Sequence, residues 1–427
     1  MNSCRSNDTK RPLSIGILSL SAIPDDPRVR RQGDLFASRG WTVRAFGLDG
    51  AHSAPPAWPC AALPNAGAVS TARSGLPAKP LTKAGRVNGR IVRRAQRLFR
   101  ALQVKLAPRH AAAAYWAHDP RFAGLLALAR GCRVDIWLAN DWTVLPIARQ
   151  LASEQGVRYA YDAHELAVDE YAHRWRWRLF QRPLVAAVER EGVSGAALVS
   201  CVSQGIADRM EIFHALPEPP LVIRNVPFYL ACPFRRSGKT IEVLYHGLVS
   251  PDRGLEACID SVGLWRPEFR LTIRGPGSVA YLAALQRRIE AAGLAGRVVI
   301  APPVPMIDLV KEAAHFDIGL FALPGHSQQN VYVLPNKFFE YTMAGLAICV
   351  SDLPEMTALL RQYDLGRLIP ETTPSAIANA VNGFDHAHID ACKVRSLQAA
   401  RILNWEAEAD RFFAAIEQVV LTAKAEQ

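Results

Sequence analysis

Residues 334–345 read Leu-Pro-Asn-Lys-Phe-Phe-Glu-Tyr-Thr-Met-Ala-Gly, and a short apolar run follows them. Pro335 is suited to start a helix and Gly345 to end it. Lys337 then lies in the first turn, where free backbone N–H groups and the helix dipole favour an anion. Glu340 lies three residues on, on the same face and within reach of the ribose hydroxyls of a nucleotide. The stretch predicts a strand-to-helix turn of a parallel sheet that binds a nucleoside diphosphate; the alternative is a surface pair of Lys337 and Glu340.

Short β-rich runs alternate with helical patterns along most of the 427 residues. This alternation predicts an α/β fold of two Rossmann-like, doubly wound domains that face each other across a cleft. Strands are expected at 14–20, 41–48, 134–139, 157–161 and 197–201, and in the second half at 241–246, 270–274, 298–301, 317–322, 347–350 and 367–369.

The domain limits follow from composition. A proline-rich passage at 214–233 is a plausible linker, so an N-terminal domain is expected at 1–215 and a C-terminal domain at 234–403. A closing amphipathic helix within 404–427 is expected to cross back to the N-terminal domain.

A second passage, 243–256, predicts a strand, a glycine-rich loop and a helix start. Arg253 emerges where a phosphate would be cradled, and its planar fork suits a diphosphate. Gly247 and Gly254 permit close approach of the backbone. A third glycine turn lies at 274–278. Taken alone, each passage is also compatible with an ordinary turn.

These three passages, in this order and spacing, resemble the C-terminal domain of family-4 (group 1) glycosyltransferases, which have the GT-B fold. The first half has similar stretches at 26–30, 140–142, 161–165 and 201–203. The resemblance implies transfer of a sugar from a nucleoside diphosphate sugar, UDP- or GDP-linked, to a glycan or lipid-linked acceptor in cell-surface polysaccharide synthesis. It also implies retention of the anomeric configuration without a metal or other cofactor, and it makes the N-terminal domain the acceptor-binding one.

Carried over residue by residue, the resemblance implies a role for each matching position. The diphosphate is assigned to Arg253, Lys337 and Gly247, the ribose to Glu340, and the base to the backbone of Pro303 and Val304. The transferred sugar or the acceptor is assigned to His164, Asn140 and Asp141 as catalytic residues, acting from the opposite domain.

Two positions depart from the family pattern. The family often has a glutamate eight residues before the ribose-binding one, and Tyr332 stands there in this chain. The usual Gly-Gly turn near the first strand is replaced by residues 22–26. The sugar-reading half of the site is therefore left unassigned.

His164 has a simpler interpretation, because a histidine after a strand often bonds a neighbouring carbonyl. Its place between Asp162 and Glu165 at a strand end also suits a functional site. Two carboxylates flanking a bond would suggest a hydrolase, but these two flank one histidine in one loop.

The net charge of +11 arises from one segment of the chain. No Asp or Glu occurs between residues 51 and 118, and the eleven Lys and Arg residues of this stretch equal the whole excess. An amphipathic helical insertion is predicted at about 73–110, with Arg90, Arg93, Arg94 and Arg97 on its basic face. It suits an anionic membrane surface, although a helix packed on the first domain is the alternative.

The remaining composition limits the class. The eight cysteines are scattered without a CxxC pair, which argues against a disulfide framework or a structural zinc and indicates a reducing compartment. No signal peptide or membrane span is evident, so a cytoplasmic protein, peripheral at the inner face of the cell membrane, is expected.

Three alternatives remain open. A nucleotide-sugar epimerase has a similar fold, since fold does not fix function. A catalytically inactive scaffold of a polysaccharide assembly complex is compatible with Tyr332. A nucleic-acid binder is disfavoured, because stacking aromatics are scarce in the basic segment.

Overall fold

A computed structural model of the chain describes residues 11–51, 53–64, 95, 98–99, 102–116 and 119–426. These residues form two compact units. The first comprises the chain up to Val168, Trp175–Ser200 and Phe412–Gln427, and the second comprises Asp169–Arg174 and Cys201–Arg411. The division thus falls at residues 201 and 412, whereas the sequence suggested 215 and 404.

The first sheet has seven strands in the order β3-β2-β1-β4-β5-β6-β7. All pairings among β1–β5 are parallel. The strands are β1 (Ser14–Leu18), β2 (Thr42–Leu48), β3 (Cys60–Leu63), β4 (Ile136–Asn140), β5 (Arg158–Ala163), β6 (Leu198–Cys201) and β7 (Leu221–Val222).

Among the described residues, six helices lie entirely in the first unit. They are α1 (Pro27–Ser38), α2 (Ala111–Trp116), α3 (Pro120–Arg130), α4 (Leu145–Gln155), α5 (Trp175–Phe180) and α6 (Arg182–Val193).

The second sheet has six parallel strands in the order β10-β9-β8-β11-β12-β13. The strands are β8 (Ile241–His246), β9 (Phe269–Arg274), β10 (Val298–Ala301), β11 (Ile318–Phe321), β12 (Ala347–Ser351) and β13 (Gly366–Ile369). The order runs outward in one direction from β8 and in the other from β11. In doubly wound sheets, ligands bind beyond the carboxyl ends of the strands at such a switch point.

The helices that begin in the second unit number from α7 onward. They are α7 (Gln204–His214), α8 (Leu255–Val262), α9 (Val279–Ala291), α10 (Leu309–Ala313), α11 (Gln328–Tyr332), α12 (Asn336–Met343), α13 (Pro354–Tyr363), α14 (Pro374–Asn382), α15 (His386–Ala400) and α16 (Trp405–Ala425).

The closing helix α16 begins in the second unit, and its residues from Phe412 onward belong to the first. Its residues Phe412 and Phe413 are buried, and the Phe413 ring lies 5.7 Å from that of Phe36 and 5.8 Å from that of Trp41. The end of the chain therefore packs into the core of the first unit.

All eleven predicted strands are present, with ends within two residues of the expected ones. The sequence missed β3, which is short and alanine-rich, and the two-residue β7. Among the helices of the described ranges, none has both the length and the apolar composition that a membrane span requires.

Candidate functional site

Helix α12 brings Lys337 to the carboxyl edge of the second sheet. The helix begins at Asn336, one residue later than predicted, and Pro335 occupies the N-cap position. The Lys337 Nζ atom lies 3.9 Å from the centre of the Phe321 ring and 5.0 Å from that of Tyr245. Phe321 is the last residue of β11, and Tyr245 is the last but one of β8. The ammonium group of Lys337 therefore lies at the switch point between these two strands.

The charge state of Lys337 is strongly perturbed. Burial and the positive charge of Arg253 together lower the pKa of Lys337 to about 7, and Glu340 opposes the shift. Arg253 and Glu340 therefore both lie near enough to Lys337 for their charges to act on it.

Neither cation of this cluster is neutralised by the protein. Within the described part of the chain, no ion pair joins Lys337 or Arg253 to a carboxylate. Asp252, the neighbour of Arg253, accepts a hydrogen bond from Arg174 at 2.7 Å instead. Two cations without a carboxylate partner favour an anionic ligand.

Two glycines shape this edge. Gly247 has φ +114°, and a Cβ atom there would lie 3.3 Å from Lys337 Cε. Gly254 has φ +74°, and a Cβ atom there would lie 2.1 Å from the carbonyl oxygen of Ala322. Both positions therefore require glycine, for the left-handed backbone and, at Gly254, for space as well.

Glu340 contacts a buried histidine rather than Lys337. His246, the last residue of β8, is 2% exposed, and its Nε2 atom lies 2.8 Å from Glu340 Oε2. The surface pair of Lys337 and Glu340 that the sequence left open is absent from the ion pairs of the described residues.

Pro303 and Val304 lie in the loop that follows β10, the edge strand of the same sheet. Because all six strands are parallel, this loop lies at the same edge as Gly247 and Lys337. No described contact joins these two residues to the cluster around Lys337.

Tyr332, which stands at the position of the family's first glutamate, packs within the second unit. Its hydroxyl accepts a hydrogen bond from Arg209 at 3.0 Å, and its carbonyl oxygen accepts one from Ser203 at 2.7 Å. The Arg209 guanidinium also lies 4.9 Å from the centre of its ring. Tyr332 thus has a packing role in place of the acidic one.

The first unit carries a second polar cluster, centred on Asp162 at the end of β5. Asp162 is fully buried and accepts hydrogen bonds from the side chains of Arg28 (2.5 and 2.7 Å), Gln32 (2.6 Å) and Ser200 (2.7 Å). Burial alone would raise the pKa of Asp162, but the charge and hydrogen bonds of Arg28 hold it well below its usual range. Asp162 is therefore a core anion, which excludes it as one of two exposed hydrolytic carboxylates.

His164 and Asn140 contact each other next to the Asp162 carboxylate. The register of β4 and β5 places Asn140 opposite Asp162. The Nε2 atom of His164 lies 3.0 Å from Asn140 Oδ1 and 3.4 Å from Asp162 Oδ2. Because both neighbours are acceptors, Nε2 carries the proton. Burial lowers the pKa of His164, but the hydrogen bond and charge of Asp162 outweigh it and raise the pKa.

Asp141 occupies a strained position next to this pair. It has φ +75°, a left-handed backbone that costs a non-glycine residue about 1–2 kcal/mol. Its carboxylate accepts a hydrogen bond from the backbone N–H of Trp142 at 2.8 Å, and its own N–H donates to the carbonyl of Asp162 at 2.9 Å. Strain of this kind often occurs at functional sites. The structure thus brings together all three residues predicted in the first unit.

The predicted membrane-surface residues Arg90, Arg93, Arg94 and Arg97 lie outside the described residues. The described residues contain no group of three or more His, Cys, Asp or Glu side chains placed to hold a metal ion.

Sequence reasoning missed His246 and the core of the Asp162 cluster. His246 appeared only as the last residue of a strand, and nothing in the sequence paired it with a glutamate 94 positions later. For Arg28 and Gln32 the sequence contained a weak indication. These two long polar residues are four positions apart and therefore share one face of a helix whose other buried residues are mainly apolar.

The fold and the cluster around Lys337 define a class of protein: a chain of two α/β units, one of which has cations without an ion-pair partner among the described residues at the switch point of a parallel sheet. Residues 240–384 match the family model described as Glycosyl transferases group 1. The matched segment lies within the second unit. No protein of the curated set matches the sequence.

Solved structures extend the likeness to nearly the whole chain. Sucrose-phosphate synthase from Thermosynechococcus elongatus superposes with a TM-score of 0.69 at 16% identity, covering 96% of this chain and 100% of that one. HepE of Anabaena, in complex with UDP and glucose, gives 0.66 at 14% identity, covering 95% and 100%. A glycosyltransferase from Rickettsia africae gives 0.62 at 9%, covering 96% and 99%. These likenesses establish the two-domain GT-B fold.

Proposed function

We propose that this chain transfers a sugar from a nucleoside diphosphate sugar to a hydroxyl group of a glycan or lipid-linked acceptor in cell-surface polysaccharide synthesis. The observation that carries the proposal is the pair of cations Lys337 and Arg253, which no carboxylate of the described residues neutralises. Lys337 lies in the first turn of α12 and Arg253 directly before the N-cap of α8, both within the segment that matches the glycosyltransferase family. The Anabaena structure of the same fold contains UDP and glucose, which supports a nucleotide-sugar donor.

In this proposal the second unit binds the donor. Arg253, Lys337 and the open backbone at Gly247 hold the diphosphate, while Glu340 accepts hydrogen bonds from the ribose. The backbone of Pro303 and Val304 contacts the base. As the sugar leaves, negative charge grows on the diphosphate, and the two cations stabilise it without a metal or other cofactor.

The first unit contributes His164, Asn140 and Asp141 to the transferred sugar or the acceptor. Asp162 keeps a proton on His164 Nε2, so Nδ1 is the ring nitrogen left for a ligand. Retention of the anomeric configuration is part of the proposal. NMR of the first product formed tests it, because the anomeric coupling of the transferred sugar would match that of the donor.

Ligand binding by the wild-type protein tests the donor class. UDP and GDP are compared in a thermal-shift assay, with inorganic phosphate as the control. A nucleotide at a hundredfold excess over its Kd stabilises the folded state by about 2.7 kcal/mol, which raises the Tm by several degrees. No shift with either nucleotide would contradict the proposal.

Turnover separates the two remaining alternatives. An epimerase converts its nucleotide sugar without an acceptor, whereas a transferase releases nucleoside diphosphate faster when an acceptor is added. A scaffold does neither. Incubation of UDP-glucose with and without a membrane extract, followed by assay of UDP and of the sugar's configuration, distinguishes the three.

We also propose that the chain is cytoplasmic and peripheral on an anionic membrane surface, through the basic insertion at 73–110. Four apolar side chains of this segment support it, because more than half of each is exposed: Leu98, Phe99, Leu102 and Leu106. An exposed apolar stripe beside an acid-free, arginine-rich stretch suits insertion among lipid headgroups. Sedimentation with anionic but not neutral vesicles at low salt is expected, and replacement of Arg90, Arg93, Arg94 and Arg97 by Ser should abolish it. Unchanged sedimentation of that variant would contradict this surface.

A further inference from the structure

His246 is a buried histidine with its ring fixed on two sides. It ends β8, and its ring stacks on Tyr341 of α12 with centroids 4.7 Å apart and planes 29° apart. Its backbone N–H donates to the Tyr341 hydroxyl at 3.0 Å. Strand β8 and the stacked Tyr341 ring therefore fix the orientation of the imidazole, and with it the direction in which Nε2 points.

That direction leads to Glu340. The His246 Nε2 atom lies 2.8 Å from Glu340 Oε2, but it makes no well-aligned hydrogen bond to any described residue. The Glu340 carboxylate is the charged group that the structure places beside it. Since a buried polar nitrogen without a partner is unfavourable, the pairing is the stable arrangement.

The Glu340 side chain also has a part that points away from His246. Glu340 is 18% exposed, so His246 contacts it from the core while part of it faces outward. A long glutamate side chain would otherwise have to be ordered when a ligand binds, and that ordering weakens binding. A fixed partner beneath it removes this loss.

We propose that His246 is a positioning residue, which holds the Glu340 carboxylate in the orientation that accepts the ribose hydroxyls of the bound nucleoside diphosphate. This inference rests on the proposed function and adds a residue that acts through Glu340 alone. It differs from a purely structural role in one measurable respect, because its effect should depend on the ribose hydroxyls of the ligand.

The test measures the Kd of UDP and of 2′,3′-dideoxy-UDP by isothermal titration calorimetry, with GDP and its dideoxy analogue in parallel. The variants are His246→Leu, which has no donor, and His246→Gln, which keeps one. His315→Leu, at an exposed position of the same unit, is the control. If the leucine variant does not fold, His246→Asn, which keeps an N–H group but shortens its reach, takes its place.

We expect His246→Leu to weaken UDP about tenfold and to leave dideoxy-UDP unchanged, while His246→Gln restores most of the loss. In Glu340→Gln the leucine substitution should add little further loss, since both changes remove one contact. Equal weakening of both ligands, or unaltered UDP affinity, would overturn the inference while leaving the proposed function in place. If the wild-type protein binds neither UDP nor GDP, the proposed function fails, and this inference fails with it.

Discussion

The two polar clusters, one in each unit, differ in how their buried charge is compensated. In the first, the Asp162 carboxylate is surrounded by donors from Arg28, Gln32 and Ser200, so its charge is fully compensated inside the core. In the second, Lys337 and Arg253 share one place without a carboxylate partner in the described residues. The first arrangement stabilises a framework, whereas the second retains charge for a ligand.

The difference has a thermodynamic consequence for each unit. Breaking a compensated buried pair leaves one charge stranded, so folding should depend strongly on it. Burial of the Lys337 ammonium group beside Arg253 disfavours its charged form, and the pKa of Lys337 is lowered as a result. Removing one of those cations should therefore reduce binding more than stability.

The largest expected effect is on folding. Arg28→Met should lower the free energy of unfolding by about 3–5 kcal/mol, because it strands the Asp162 carboxylate in the core. Urea denaturation measures it. The matched control is Arg130→Met, since Arg130 pairs with Glu154 at a site about half exposed, where a salt bridge contributes about 0–1 kcal/mol. Similar losses of unfolding free energy in both variants would show that the buried pair contributes no more to stability than the exposed one.

A smaller effect is expected on the pH dependence of UDP binding, because binding changes the protonation state of Lys337. With its pKa at about 7, Lys337 is partly neutral in the unliganded protein, and a bound diphosphate should restore the ammonium form. UDP binding should therefore take up a proton, and its affinity should fall by up to about tenfold per pH unit above pH 7. Calorimetry in buffers of different ionisation enthalpy measures the uptake. Lys337→Met should abolish it and Lys311→Met, at an exposed site of the same unit, should not; uptake that persists in Lys337→Met would contradict the assignment.

The smallest effect concerns His164. Its pKa should lie above the usual value of about 6.5, because the ionised Asp162 favours the imidazolium. The raised pKa adds stability below about pH 6.5, and that contribution is lost as pH rises through the folded-state pKa. NMR titration, with His164→Gln to assign the signal, measures the midpoint. A midpoint below 6.5 would mean that burial outweighs the carboxylate.

Much of the second unit was predictable from sequence, because its signals are local. The turn at Gly247 and the cation at Arg253 follow the end of β8 closely, and α12 is the second helix after β11. Parallel strands then bring these ends to one edge, which needs only the order of βα units. The predicted proximity of Lys337, Arg253 and Glu340 follows from that rule.

What the sequence could not show are contacts between distant positions. Arg28 bonds a residue 134 positions away, and His246 contacts a glutamate on a helix that follows three further strands in the chain. Residue type does not specify such partners, since a buried arginine and a solvated one look alike in one sequence. The packing of Tyr332 against Arg209 was invisible for the same reason.

The measurement that tests the central claim most directly is calorimetric titration of UDP and GDP into the double variant Arg253→Ala, Lys337→Met. The double variant Arg287→Ala, Lys311→Met removes the same charges from exposed positions of the same unit and is the control. We predict that the first loses affinity for the preferred nucleotide on the order of 100-fold, since charge-assisted contacts contribute about 1.5–3 kcal/mol each. The control should bind like the wild type. Equal affinity in the two double variants would contradict the assignment of these cations to a diphosphate.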